Sequence, residues 1–85
     1  MDNDLRIFFA RSKLRIKVLE FLLENDQIAS FLAKKLNKHR ETISRIFLDL
    51  QKRGFIECTN PDSSNFRIYK ITPKGKNVLK EINSN

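Results

Sequence analysis

Phe31-Leu32-Ala33-Lys34-Lys35-Leu36-Asn37, followed by Lys38-His39-Arg40-Glu41-Thr42-Ile43-Ser44-Arg45, is the stretch on which the fold turns. Its apolar residues recur at three- and four-residue steps, the period of a helix with one buried face. A helix from Gln27 to Leu36 puts Ile28, Phe31, Leu32 and Leu36 on one stripe. Asp26 can cap its start, and Asn37 can take a left-handed conformation at its end. After a three-residue turn, a second helix runs from Arg40 to Arg53. Ile43, Ile46, Phe47 and Leu50 form its inward stripe, and Gly54 ends it.

Upstream, Leu14, Val18, Leu19, Leu22 and Leu23 recur with the same period from Ser12 to Glu24, with Lys13, Arg15, Lys17 and Glu20 between them. This predicts another amphipathic helix, with Ser12 as its N-cap and Asn25-Asp26 as its break. Before it, Leu5, Ile7, Phe8 and Phe9 either extend this helix or form a separate arm.

Downstream the period changes. Phe55 to Thr59 and Phe66 to Ile71 are rich in β-branched and aromatic residues, and Asn60-Pro61-Asp62-Ser63-Ser64-Asn65 between them are turn formers. The pattern predicts an antiparallel hairpin with a six-residue tip. Tyr69 and Ile71 share its inward face with Arg67, which lies near the tip. Cys58 alternates with Ile56 as a small buried hydrophobe. Thr72-Pro73-Lys74-Gly75 then opens a short helix to about Ile82, with Thr72 as N-cap and Pro73 at the first helical position.

The predicted fold is mainly α with a small β-hairpin, an α+β class in the order helix, helix, helix, hairpin, helix. It is one domain over 1–85: an N-terminal arm or helix extension over 1–11, a core over 12–82, and a frayed tail over 83–85.

Eighty-five residues bury only about 60% of the surface that the unfolded chain exposes, so the core is thin. There is little room beside it for a deep substrate cavity. Seventeen Lys and Arg against ten Asp and Glu give a net charge of +7 and a pI near 9.9. That balance favours a nucleic-acid partner. Its distribution points the same way: residues 37–53 carry five basic and two acidic residues, whereas 1–24 carry five and four. One cysteine forms no internal disulfide, and one cysteine with one histidine makes no four-ligand zinc site. Met1-Asp2-Asn3-Asp4 is acidic where a secretory leader is basic, and no apolar run approaches the roughly 20 residues of a membrane span. The expected location is the cytoplasm.

With those elements in place, the chain resembles winged helix-turn-helix transcriptional regulators, closest in style to the small MarR and ArsR types. The resemblance covers about residues 14–82. It is carried by Phe31–Asn37 with His39–Arg45, by Leu50-Gln51-Lys52-Arg53-Gly54-Phe55-Ile56-Glu57, and by Tyr69-Lys70-Ile71-Thr72-Pro73-Lys74-Gly75. It implies a sequence-specific regulator binding double-stranded DNA, with helix 40–53 in the major groove and wing 55–71 on flanking backbone. Asn37 replaces the usual turn glycine, and His39 stands where Ser or Thr caps the recognition helix. Ser63 and Ser64 occupy a wing tip that often carries arginine, which argues against deep minor-groove insertion.

Turning the 40–53 helix by about 100° per residue from an inward Ile43 sends Glu41, Arg45 and Lys52 outward. Thr42, Ser44 and Asp49 lie on the flanks, Arg40 in the first turn, and Leu48 also points out. Arginines and short polar groups at a helix N-terminus suit base edges and phosphates. The expected DNA contacts are Lys38, His39, Arg40, Glu41, Thr42, Ser44, Arg45, Lys52, Ser63, Ser64 and Arg67. Glu41 is a cytosine reader, a partner orienting Arg45 one turn on, or a bystander.

Phe8, Phe9, Leu79 and Ile82 have little core left to fill. Relatives of the resembled type dimerise through terminal helices, so these four are the expected homodimer interface. No carboxylate pair, nucleophile constellation or Gly-rich phosphate loop gives an enzyme reading anything to rest on. No cofactor, metal or membrane partner is implied, and the chain leaves a small-molecule effector open. The rival functions are a protein-interaction subunit of a transcription complex and a replication or RNA-binding protein.

Overall fold

Asp2 starts the first helix of the computed structural model, which describes residues 1–84. Its carboxylate accepts the Leu5 N–H at 2.9 Å, an N-cap for α1 (Asn3–Ala10). The upstream patch is thus a helix of its own, with Arg11 and Ser12 separating it from α2 (Lys13–Glu24). Ser12 sits at the N-cap of α2 in extended backbone, but its hydroxyl makes no capping bond. Asn25 ends α2 in extended conformation, as the break at Asn25-Asp26 required.

The next segment corrects the single helix expected over 27–36. Gln27–Ile28 is a short strand, β1, and the helix α3 is Ala29–Leu36. Its N-cap is Ile28 without a side-chain bond, so Asp26 does not cap it. Asn37 does adopt the left-handed conformation, at φ 54° and ψ 50°. The Lys38 N–H reaches the Ala33 carbonyl at 2.9 Å and the Asn37 N–H reaches Lys34 at 3.2 Å, a Schellman closure.

The long basic helix, α4, is Arg40–Lys52. Gly54, at φ 80°, closes it in the same way, with Phe55 N–H on Leu50 O at 3.0 Å and Gly54 N–H on Gln51 O at 2.9 Å. The chain then enters β2 (Ile56–Cys58) and returns in β3 (Ile68–Ile71). These strands are shorter than the expected 55–59 and 66–71, and residues 59–67 form the connection. The sheet has three antiparallel strands in the order β1-β3-β2, one more strand than the expected hairpin. Gln27 faces Tyr69 across one edge of β3, and Ile56 faces Ile71 across the other. On the exposed face Glu57 and Lys70, opposite each other, pair at 3.2 Å.

Thr72 caps α5 (Pro73–Asn83) as expected, its hydroxyl accepting the Gly75 N–H at 3.1 Å and donating to Gly54 O at 2.6 Å. Of the tail expected to fray, Asn83 is helical and the Ser84 N–H bonds to Lys80 O at 3.0 Å. Asn85 lies outside the described residues. The fold is therefore α+β, with five helices and a three-stranded antiparallel sheet among the described residues.

Val18, Leu19, Leu22, Leu32, Ile43, Phe47, Leu50, Phe55, Ile56 and Leu79 form the centre of the core, with Tyr69 and Ile71 facing in from the sheet. Phe31 and Leu23, both expected on inward stripes, are 56% and 50% exposed. Cys58 is half-buried against the core.

The residues expected at a dimer interface pack within the single chain. Phe8, Phe9 and Leu79 are buried within the single chain, and Ile82 packs against the same core. Phe9 lies 5.8 Å from the Phe55 ring. The guanidiniums of Arg15 and Arg53 sit 4.0 and 4.1 Å from the Phe8 ring centroid. Arg15 also donates to the Phe8 carbonyl at 2.6 Å and pairs with Asp49 at 3.4 Å. The cover on Phe8 is thus the stems and flat heads of the chain's own arginines, which pack well on aromatic faces.

Candidate nucleic-acid interface

Burial of Ile43, Ile46, Phe47 and Leu50 fixes how α4 is turned. Opposite that stripe stand Glu41 and Arg45, with Arg40 and Thr42 on the flanks and His39 at the N-cap, all exposed, and Ser44 half-buried beside them. His39, Arg40, Glu41, Ser44, Arg45 and Leu48 line one shallow open concavity of about 690 Å³. Among the described residues, Arg40 and Arg45 enter no ion pair; the three pairs present lie elsewhere. Glu41, read as a cytosine reader, a partner orienting Arg45 or a bystander, makes no ion pair with Arg45 among the described residues. His39 occupies the N-cap of α4 without a side-chain bond. The Thr42 N–H bonds to the His39 carbonyl at 3.1 Å, which leaves the N–H groups of Arg40 and Glu41 without a side-chain cap beside exposed Lys38 and Arg40.

The 59–67 connection is closed at its base by Thr59, whose N–H and hydroxyl both donate to Ile68 O at 2.8 and 3.2 Å, and by Asn60. Asn60 donates to Phe66 O at 2.8 Å and accepts the Ile68 N–H at 2.6 Å, so it spans the base of the loop. Nothing in the apolar spacing singles out Asn60; the signal was its place before Pro61, where Asn starts a turn. Ser63 is spent inside the loop. Its hydroxyl accepts the Phe66 N–H at 3.3 Å and its carbonyl accepts Arg67 Nε at 3.0 Å. Ser64 and Arg67 remain exposed, with the Arg67 head steadied by that bond.

A second cavity, of about 250 Å³, separates α4 from the loop. Buried Phe47 and Tyr69, with rings 4.8 Å apart, form its floor. Leu48 and Phe66, 50% and 60% exposed, stand at its sides, with exposed Arg40 and Arg67 at its mouth. Arg40, Ser44 and Leu48 belong to both concavities and form the wall between them. Phe66 was read in the sequence only as a strand residue; that it lies on this face depends on the loop.

Lys52 does not join the group. It lies twelve residues from Arg40, about 18 Å along the helix. There it lines a different cleft with Arg11, Arg15 and Arg53 around Phe8, together with Asp4 and Asp49. The structure thus gathers Lys38, His39, Arg40, Glu41, Ser44 and Arg45 at one end of α4. It brings Ser64 and Arg67 against them, and leaves Lys52 apart. Thr42 is exposed on the flank of the same helix.

Among the described residues, no helix is long and apolar enough to cross a membrane. Comparison with curated proteins and with solved structures gave no significant match. A family model spans almost the whole chain, residues 3–85, and on that ground the chain belongs to the HVO_A0261 N-terminal domain family.

Proposed function

We propose that this chain is a winged helix-turn-helix domain that binds double-stranded DNA and regulates transcription. Helix α4 enters the major groove with Arg40, Ser44 and Arg45 toward base edges. The 59–67 loop is the tip of the wing and lies on flanking backbone with Ser64 and Arg67. The observation that carries this reading is the outer face of α4: Arg40 and Arg45 are exposed, outside the ion pairs among the described residues, and set beside a helix N-terminus with no side-chain cap. The reading places the domain in the compartment that holds the DNA, expected here to be the cytoplasm. The reading needs no cofactor and makes the domain no enzyme.

Fluorescence anisotropy with random duplex DNA, single strands and RNA is the test. Duplex DNA should bind best, and its affinity should fall by about 10³–10⁵ between roughly 50 and 200 mM salt if 6–10 phosphates are contacted. Equal or better binding of single strands or RNA would transfer the domain to those partners. The exposed Leu48 and Phe66 on the same face favour one other reading, a protein-interaction module. Absent binding, or a nearly flat salt response, would support it.

A further inference from the structure

We infer that the cleft between α1 and the C-terminal end of α4 is a docking surface for an acidic segment of a partner protein, one with apolar side chains beside its carboxylates. Ile7 and Arg11, four residues apart, come from one face of α1 and its C-cap, and Lys52 and Arg53 from the end of α4. They border an open concavity of about 680 Å³ around Phe8.

The charges of the cleft fall into two sets. Arg15 and Asp49 satisfy each other at 3.4 Å, and Arg15 also donates to the Phe8 carbonyl at 2.6 Å, so this pair belongs to the packing of the helices. Arg11, Lys52 and Arg53 are exposed and enter no ion pair among the described residues. Against these three unpaired cations stands one unpaired carboxylate, Asp4, which leaves an excess of positive charge. The Arg53 guanidinium lies 4.1 Å from the Phe8 ring centroid. The ring holds that head by its face and leaves its edge donors to meet a carboxylate.

Three features select a peptide over a nucleic acid. Both α1 and α4 end here, and helix C-termini carry partial negative charge, the reverse of the N-terminus of α4. With Asp4 and Asp49 in the lining, a dense phosphate backbone meets repulsion, whereas a peptide answers both signs, with carboxylates for the cations and N–H groups for the acceptors. The Phe8 ring is covered by Arg15 and Arg53, so no base stacks on it. Ile7, 51% exposed, adds apolar surface that phosphates leave uncovered and an aliphatic side chain buries.

Lys52 stands twelve residues from Arg40, about 18 Å along α4, so the cleft and the proposed DNA face are separate. The partner therefore docks while the domain sits on duplex, a part of the inference that rests on the proposed function.

The experiment titrates the full chain with a dodecapeptide of alternating glutamate and leucine pairs, followed by amide NMR and by anisotropy of the labelled peptide. Peptides with leucine replaced by serine, or glutamate by glutamine, are the controls. The acidic apolar peptide should bind at micromolar to submillimolar concentration and shift residues 4–15 and 49–53. Both controls should bind at least about fivefold more weakly. Arg11→Gln with Lys52→Gln removes two exposed cations, keeps Arg53 on Phe8, and should weaken the peptide about tenfold. Arg40→Gln with Arg45→Gln removes the same charge at the other end of α4 and should leave peptide affinity unchanged. Ile7→Ser, at an exposed position, should weaken the leucine peptide and spare the serine peptide. Equal binding of the serine peptide, equal loss in the two double variants, or no shifts at millimolar peptide would overturn the docking surface. So would duplex that displaces the peptide and itself loses affinity when Arg11 and Lys52 are replaced, since the cleft would then be a nucleic-acid site. Peptide and duplex should bind at the same time. Displacement without that loss of duplex affinity ends the simultaneous docking alone. If the peptide binds but no duplex ever does, the DNA reading fails and the docking surface stands.

Discussion

Arg45 stands one turn after Glu41 on the outer meridian of α4, exposed and outside any ion pair among the described residues. Its guanidinium offers two parallel donors matching the paired acceptors of guanine, a pairing worth about 1–3 kcal/mol of discrimination. Arg45→Ala should weaken binding to a selected operator by that amount and random duplex far less. Arg45→Lys should recover affinity only in part, because charge returns without the planar fork. Equal loss on both DNAs would make Arg45 a phosphate clamp and pass base reading to Arg40, Thr42 or Ser44. Asn60 carries the other prediction at this scale. Removing its amide breaks the bonds to Phe66 and Ile68 that hold the loop. Asn60→Ala should cost about 1–2 kcal/mol of stability by urea unfolding. It should also weaken duplex binding, since the proposed wing contacts Ser64 and Arg67 lie on the loop that this side chain closes. Unchanged binding by the folded variant would show that the loop does not need this clamp.

The elements meet most tightly where α4, β2 and α5 converge. Gly54 turns the chain out of α4 at φ 80°, Phe55 drops into the core, and the Phe55 carbonyl accepts the Thr72 N–H at 3.0 Å. Gly75, in the first turn of α5, lies directly on that carbonyl. A Cβ there would overlap the Phe55 carbonyl oxygen and stand 2.7 Å from Ile71 Cγ1. Neither neighbour can yield easily: one is backbone in a Schellman closure, the other a buried strand residue. Gly75→Ala should therefore destabilise by about 1–3 kcal/mol in denaturant unfolding, although alanine is the better helix former. A neutral or stabilising result would mean that α5 shifts freely on the sheet. The same junction sets the angle between α4 and the β2–β3 loop, so its rigidity reaches the candidate interface.

At the scale of the molecule, the question is whether the domain closes on itself. Its radius of gyration, 12.3 Å, is close to the roughly 12 Å expected of a compact chain of this length. Phe8 is covered by Arg15 and Arg53, and Phe9 by the Phe55 ring, without help from a second copy. Phe8→Ala should cost about 3–5 kcal/mol, and the unfolding midpoints of the wild type and variant should not depend on protein concentration. A midpoint that rises with concentration would show instead that these residues are stabilised by self-association. A homodimer on DNA is compatible with the proposed function, and exposed apolar surface elsewhere on the domain offers it a further contact. The exposed Leu23, beside Leu79, Lys80 and Asn83, is one such surface, and sedimentation equilibrium would reveal whether copies pair.

What the sequence by itself determined is whatever depends on neighbours along the chain. Helix periods, the left-handed Asn37, the Gly54 exit from α4, and the Thr72-Pro73 start of α5 are encoded within a few residues, and all are present. The turn of α4 was legible too, because four inward apolar residues fix the azimuth of the other nine. Contacts between distant segments decided the rest. Gln27 and Ile28 have helical spacing, yet they pair with Tyr69 and Ile68, because a sheet edge forty residues away offers backbone bonds that no local pattern encodes. Phe8 looked like an interface residue because nothing nearby in sequence could cover it. Its cover is Arg15, seven residues on, and Arg53, which only the packing of α4 against α1 and α2 brings there. The cavity between α4 and the loop belongs to this second kind. Arg40 and Arg67 are twenty-seven residues apart, and only the return of β3 beneath α4 sets them over one aromatic floor.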